Sequence, residues 1–281
     1  MDATARERAL DLARGPLQEA FAERLFADPT AVRARLIMAS GQDGSVTVSS
    51  SASAAPADLW QHYGTRPPEG DRPRDVDARM YWDWYQRTGP GAELLGDVAG
   101  RTVAELGAGV GRQAAHIAHT LAPAQVLAID NAPTQHTRGR ALYGHVQGLE
   151  FIEAEAVTYL GEHPHSVDLA YSLFGALDFT DPQTTLPAIT TALRPGGRLV
   201  LSTLAHYSNG APPETACRPA HIPTRRGDGN TMQRWVLDLP VWEKLLAEHG
   251  FTTLRAETLH DPGDDRPQPM ATRVICARMA I

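Results

Sequence analysis

Three carboxylates and a run of glycines hold the most readable chemistry in this sequence. Gly107, Gly109 and Gly111 alternate within T-V-A-E-L-G-A-G-V-G-R, residues 102–112, directly after a short apolar stretch. A glycine turn at that place lets a ligand approach backbone that a Cβ would block. The helix expected behind it can face a sheet with Ala114, Ala115, Ile117 and Ala118. Its N-terminus would present unpaired N–H groups and the positive end of a dipole. That combination suits an adenosine-type cofactor. Asp130 follows about 20 residues beyond the glycines, the usual spacing for a carboxylate that takes ribose hydroxyls. Its two oxygens can bind both hydroxyls of one ribose, and its blander reading is a helix cap ahead of Pro133. Glu155, in E-A-E-A at 153–156, can accept from an adenine amino group while a nearby backbone N–H meets a ring nitrogen. Glu105 is a third carboxylate, set oddly within an apolar strand.

These residues need a scaffold that brings strand ends together. From Arg101 onward the pattern alternates strand and helix. Strands are predicted at 103–106, 126–130, 149–152, 167–171, 198–203, 252–258 and 272–277, and helices at 111–119, 133–145, 182–193 and 240–249. Leu193-Arg194-Pro195-Gly196-Gly197 reads as a stop followed by a tight turn. Such alternation predicts an α/β fold: a doubly wound, Rossmann-like, seven-stranded, mostly parallel sheet with helices on both faces. Ligands in such sheets sit beyond the carboxyl ends of the strands.

Ahead of that domain, 101–281, the sequence predicts two further segments. Residues 1–57 read as a small, mainly helical N-terminal unit, with a hairpin near S-V-T-V-S (45–49) and a small-residue linker. Residues 58–100 are aromatic-rich: Trp60, Tyr63, Tyr81, Trp82, Trp84 and Tyr85 crowd into a chain that is only 6% aromatic. They read either as a helix docked on the core or as a lid over cofactor and acceptor. Within the main domain, residues 205–239 form a long insertion without periodicity, as functional loops often do.

The bulk composition excludes several classes. At 281 residues and 42% apolar content, the chain can bury a sizeable core. A net charge of −7 argues against a nucleic-acid partner held by phosphate neutralisation. Two cysteines give neither a disulfide framework nor metal-ligand spacing, so no metal is expected. No apolar run approaches a membrane span, and the first residues lack a signal-peptide core. A soluble cytoplasmic protein with no membrane partner is the expectation; the oligomeric state is not readable, with a homodimer among the options.

A glycine turn alone does not separate nicotinamide enzymes from methyl donors. The wider set resembles the class I S-adenosylmethionine-dependent methyltransferases. The matching residues are Glu105-Leu106-Gly107-Ala108-Gly109-Val110-Gly111-Arg112, Asp130, Ala154-Glu155-Ala156, Val167–Ser172 and Leu193–Leu199. The resemblance covers about residues 100–204. It implies S-adenosylmethionine as cofactor and S-adenosylhomocysteine as product. It places Glu105 beneath the glycines near the methionine moiety, and Gly107, Ala108 and Gly109 along methionine and ribose. Asp130 then holds the ribose, Asn131 flanks the adenine, Glu155 with Ala156 reads the adenine edge, and Ser172 and Leu173 line the wall near the transferring methyl. Where members of the superfamily often carry a His pair, this chain has Gly175-Ala176, which is expected to remove a base and widen the pocket.

The acceptor side follows from position. His206 ends the fifth predicted strand and is the leading candidate base, with Tyr207 beside it to orient the acceptor. Tyr81, Trp82, Tyr85, Phe174 and Trp235 are candidate acceptor-binding aromatics. Arg218, Arg225 or Arg234 could hold an acceptor carboxylate, a solvated arginine being the blander reading of each. The expected function is methyl transfer to O, N or C of a small metabolite, with an aromatic acceptor of specialised metabolism in view. The alternatives are a peptide or protein methyltransferase and a non-catalytic nucleotide-binding module.

Overall fold

A computed structural model describes residue 60 and residues 72–223, 231–261, 263 and 269–280. The N-terminal unit expected over 1–57 lies outside the described residues.

Seven strands form one sheet: β1 (Thr102–Leu106), β2 (Gln125–Asp130), β3 (Leu149–Glu153), β4 (Val167–Leu173), β5 (Leu193–Leu204), β8 (Phe251–His260) and β9 (Ala271–Met279). Their spatial order is β3-β2-β1-β4-β5-β9-β8. Pairings among β1 to β5 are parallel, and β9 runs antiparallel to both of its neighbours, β5 and β8. The order reverses direction at β1 and β4, so their carboxyl ends frame the switch point where such folds take ligands. The helices are α1 (Arg112–Thr120), α2 (Pro133–Tyr143), α3 (Ala156–Glu162), α4 (Ala176–Phe179), α5 (Pro182–Ala192) and α6 (Leu239–Glu248). A two-stranded hairpin, β6 (Ala220–Pro223) with β7 (Thr231–Arg234), stands apart from the sheet.

The sheet is buried on both faces, and the period of two along each strand divides its residues between two cores. Ala104, Leu106, Leu127, Ile129, Leu199 and Leu201 face one core with Trp242, Leu245 and Leu246 of α6. Val103, Val126, Ala128, Tyr171 and Val200 face the other, with Ala114 and Ile117 of α1. Helix starts follow their local chemistry: Asp181 accepts from Gln183 N ahead of Pro182, and Asp238 accepts from Leu239 N ahead of Pro240.

Three differences from the sequence expectation have clear causes. Leu193–Gly197 is not a turn ahead of β5 but its first half; Gly196 takes φ 74 and the register against β4 shifts there, so the glycines make a bulge. Helices α3 and α4 and the β6–β7 hairpin were not expected, because each is too short to show a period. Over residues 72–91 there is no helix. Asp83, almost wholly buried, accepts from the backbone N–H groups of Tyr85, Arg87 and Thr88 and folds that segment into a compact turn.

Candidate active site

The donor end is built from backbone. Gly107 N and Ala108 N both donate to Ile129 O, at 2.9 and 3.0 Å, which locks the turn after β1 onto the end of β2. Gly107 and Gly109 both lie at positive φ, but they are glycines for different reasons. A Cβ on Gly107 would meet Ala176 N at 2.4 Å, because the loop after β4 packs directly on the turn. A Cβ on Gly109 would meet nothing within 4 Å: it would project into open space. Gly175 is the partner of Gly107, since its own Cβ would meet Leu106 O at 2.3 Å. The Gly175-Ala176 pair therefore brings two backbones together, and both residues line the cleft.

Asp130 ties this turn to the next helix. Its Oδ2 accepts from Gly109 N at 2.7 Å and its Oδ1 from Ala132 N at 2.9 Å. Each carboxylate oxygen keeps a further lone pair for a ligand hydroxyl. Burial pushes this carboxyl up, and the two amide donors hold it back. Asn131 and Gln135 follow it on the rim, and Glu155 caps α3 with Oε2 accepting from Thr158 N at 2.8 Å. Glu155 thus spends one oxygen on the helix and keeps the other.

One cleft of about 210 Å³ runs along these groups. By the strand order, Gly107, Gly109, Asp130, Asn131, Glu155 and Ala156, which follow β1, β2 and β3, line its one side, and Phe174, Phe179 and Thr180, which follow β4, line the other, with Trp60 against Phe179. The open space over Gly109, the free lone pairs of Asp130 and the rim at Glu155 fit an adenosine-bearing cofactor. Trp60, one of the aromatics read as a possible lid, also lines it, as do Gln135, Phe179 and Thr180, which the sequence did not single out. Phe179 and Thr180 could have been found from the rule that ligands sit beyond the strand ends, extended past Phe174.

Other candidates sit elsewhere. Glu105 is 3% exposed, and its Oε2 accepts from Ala114 N in the first turn of α1 at 3.0 Å. Burial pushes it up to about 8. It holds α1 beneath the glycine turn and does not line the cleft. Burial first, and Glu105 second, push the neighbouring Tyr171 phenol well above its ordinary value. Ser172 is buried and donates from Oγ to Leu106 O, and Leu173 is half-buried in the core behind it. Ala108 also packs there rather than on the cleft.

The aromatic segment is mostly core. Trp82 is fully buried, donates from Nε1 to Gly91 O and meets the Tyr171 ring edge-on at 6.0 Å. Tyr85 packs with Leu204, Val236 and Met270, while Tyr81 is half-buried under Arg79. Gln86 pins the segment to α1 by accepting from Arg112 Nη1 and Gln113 Nε2. Trp235 is buried with Leu237 and Trp242. His206 points Nδ1 at Tyr207 O and Nε2 at Pro269 O, 2.8 and 3.0 Å away, which leaves neither nitrogen aimed at the cleft. Tyr207 is 3.5 Å from Glu214 Oε1, and burial, then Glu214, pushes its phenol up to about 12.

The insertion contributes a group that the sequence undervalued. Arg234 of β7 is 1% exposed and meets Asp178 of α4, also 1% exposed, at 2.6 Å. Its guanidinium lies over the rings of Trp84 and Phe179, at 5.4 and 5.1 Å. It is the opposite of a solvated arginine. Burial raises the Asp178 carboxyl, and Arg234 opposes that shift. Among the described residues no group of three or more His, Cys, Asp or Glu could hold a metal ion, and no helix is long and apolar enough to cross a membrane.

Comparison with known proteins agrees with this geometry. Residues 104–201 match the methyltransferase domain family. No curated protein matches the sequence significantly. A Listeria monocytogenes protein assigned as an S-adenosylmethionine-dependent methyltransferase superposes with a TM-score of 0.55 at 14% identity, over 67% of this chain and 95% of that one. An S-adenosylmethionine-dependent methyltransferase from Mesorhizobium loti gives 0.50 at 23% identity, over 66% and 94%. The 4+2 cyclase SpnF gives 0.52 at 18% identity, over 68% and 78%. At these identities the superpositions speak for the fold, and the domain match speaks for the activity. With the glycine turn, Asp130 and the 3-2-1-4-5-9-8 sheet in place, residues 104–201 carry a methyltransferase domain, and the sheet around it has the fold of the S-adenosylmethionine-dependent methyltransferases.

Proposed function

We propose that this enzyme methylates a small-molecule acceptor held at the Phe174–Phe179 end of the cleft, and that it works in the cytoplasm, where Cys217 and Cys276 stay free thiols. The observation that carries the reading is the continuity of the cleft: polar adenosine-type contacts at one end and aromatic side chains at the other. S-adenosylmethionine supplies an activated methyl group for in-line displacement. The chain's own task is to align the acceptor atom with that methyl at about 3–3.5 Å and to keep water out. Phe174 and Phe179 suit both tasks, because rings order a flat acceptor at little entropic cost. His206 has no part in this reading, since both of its nitrogens are turned to backbone carbonyls.

The test has two stages. Calorimetry should give heat with S-adenosylmethionine and none with NAD; no heat with the former sinks the cofactor assignment. A mass-spectrometric screen of small-molecule extracts, with and without enzyme, should then show a product gaining one methyl. Methylation confined to peptides or proteins in the same extracts would overturn the small-molecule reading.

A further inference from the structure

The acceptor end of the cleft has a charge pattern that bears on what it takes, provided the methyl-transfer reading above holds. Phe179 lines the cleft, and a buried guanidinium, that of Arg234, lies against its ring at 5.1 Å. The same guanidinium lies 5.4 Å from the Trp84 ring, and Trp84 meets Phe174 edge to face at 5.0 Å. Trp60 meets Phe179 in the same manner at 4.6 Å. A cation is attracted to the negative face of an aromatic ring. A ring that already serves one cation is a poorer host for a second and a better partner for electron-rich rings. Asp178 neutralises Arg234 at long range, but at ring distance the guanidinium is the group in contact.

We propose that the Phe174–Phe179 subsite selects a neutral, planar, electron-rich ring over a cationic one, and that Arg234 is the positioning residue that sets this preference. Arg234 touches neither acceptor nor cofactor: it acts through Phe179 and through Trp84 on Phe174. The pattern also explains why an arginine this deeply buried lies beside the cleft without lining it.

The experiment uses the full chain saturated with S-adenosylhomocysteine, with 2-naphthol and N,N,N-trimethylanilinium as probes followed by ligand-observed NMR titration. The wild-type complex should bind 2-naphthol about tenfold more tightly than trimethylanilinium. Arg234→Lys, which keeps the charge, should retain the preference. The double variant Asp178→Asn/Arg234→Met, which removes both charges and leaves no orphaned ion, should narrow it to about twofold. Equal or tighter binding of trimethylanilinium to the wild-type complex, or binding of neither probe, overturns the proposal while leaving the cofactor reading intact. A preference unchanged in a folded double variant removes Arg234 from the account. Failure of the wild-type protein to bind S-adenosylhomocysteine overturns the methyl-transfer reading and this proposal with it. Should the double variant not fold, the wild-type and Arg234→Lys titrations still decide the selectivity.

Discussion

The two ends of the cleft are made in different ways. The donor end is made of backbone amides, glycines and two carboxylates, and its key contact, Gly109 N to Asp130 Oδ2, spans 21 residues. The acceptor end is made of side chains drawn from far apart. Asp178 and Arg234 are 56 residues apart, and Trp84 N donates to Thr272 Oγ1 across 188. A local strand–turn–helix unit can specify the first almost alone, whereas the second exists only once the whole domain has closed. The two ends should therefore break differently.

The largest effect belongs to the acceptor end. Arg234→Ala leaves the Asp178 carboxylate buried and unpaired, and removal of one member of such a pair costs about 3–5 kcal/mol. Denaturant unfolding should show that loss, while Asp178→Asn/Arg234→Met should unfold close to wild type. A single variant as stable as the double one would mean that the acceptor end does not depend on the pair. At the donor end, Asp130→Ala should weaken S-adenosylhomocysteine binding roughly a hundredfold, about 3 kcal/mol, through loss of charge-assisted hydrogen bonds. Titration calorimetry reads this directly, and unchanged affinity would detach Asp130 from the cofactor.

The same contrast explains what could be read in advance. The sheet, its strand spans and the glycine turn were legible because each rests on short-range signals: period-two burial, positive-φ glycines, and Pro or Asp at helix starts. The aromatic segment could be read only as core or lid, because aromatic residues at close spacing look alike whether they pack or cover. Here Asp83 captures three amides and bends the chain, so Trp82 faces the core rather than a ligand. Arg234 was illegible for a different reason. Nothing in M-Q-R-W-V shows that its partner lies on α4, since that contact is made by topology and not by pattern. Glu105 lies between these cases. Its oddness in an apolar strand was visible, but its partner, Ala114 N, appears only in three dimensions.

Glu105 gives the next prediction. Its folded value is pushed up to about 8 from 4.5, so between those values the folded state holds a proton that the unfolded state releases. The stability linked to this proton is complete below about pH 4.5 and is lost as pH rises toward about 8. The slope can reach about 1.4 kcal/mol per pH unit. Glu105→Gln keeps an oxygen for Ala114 N and removes the proton. Unfolding free energies measured from pH 5 to 9 should fall more steeply for wild type than for the variant. Parallel curves would show that Glu105 is charged throughout.

The smallest stability effect is expected at Gly109, and it separates fold from site within one motif. Its φ of 57 costs an alanine about 1–2 kcal/mol, and the new methyl would meet nothing within 4 Å. Gly109→Ala should therefore fold with only that modest loss. Because the methyl would occupy space open to the cleft, affinity for S-adenosylhomocysteine should fall by more than the stability does. The corresponding change at Gly107 cannot make this distinction, since its Cβ would meet backbone at 2.4 Å and disturb fold and site together. If Gly109→Ala bound S-adenosylhomocysteine as tightly as wild type, the space over Gly109 would not be where the cofactor lies. The donor end would then have to be redrawn around Asp130 and Glu155 alone.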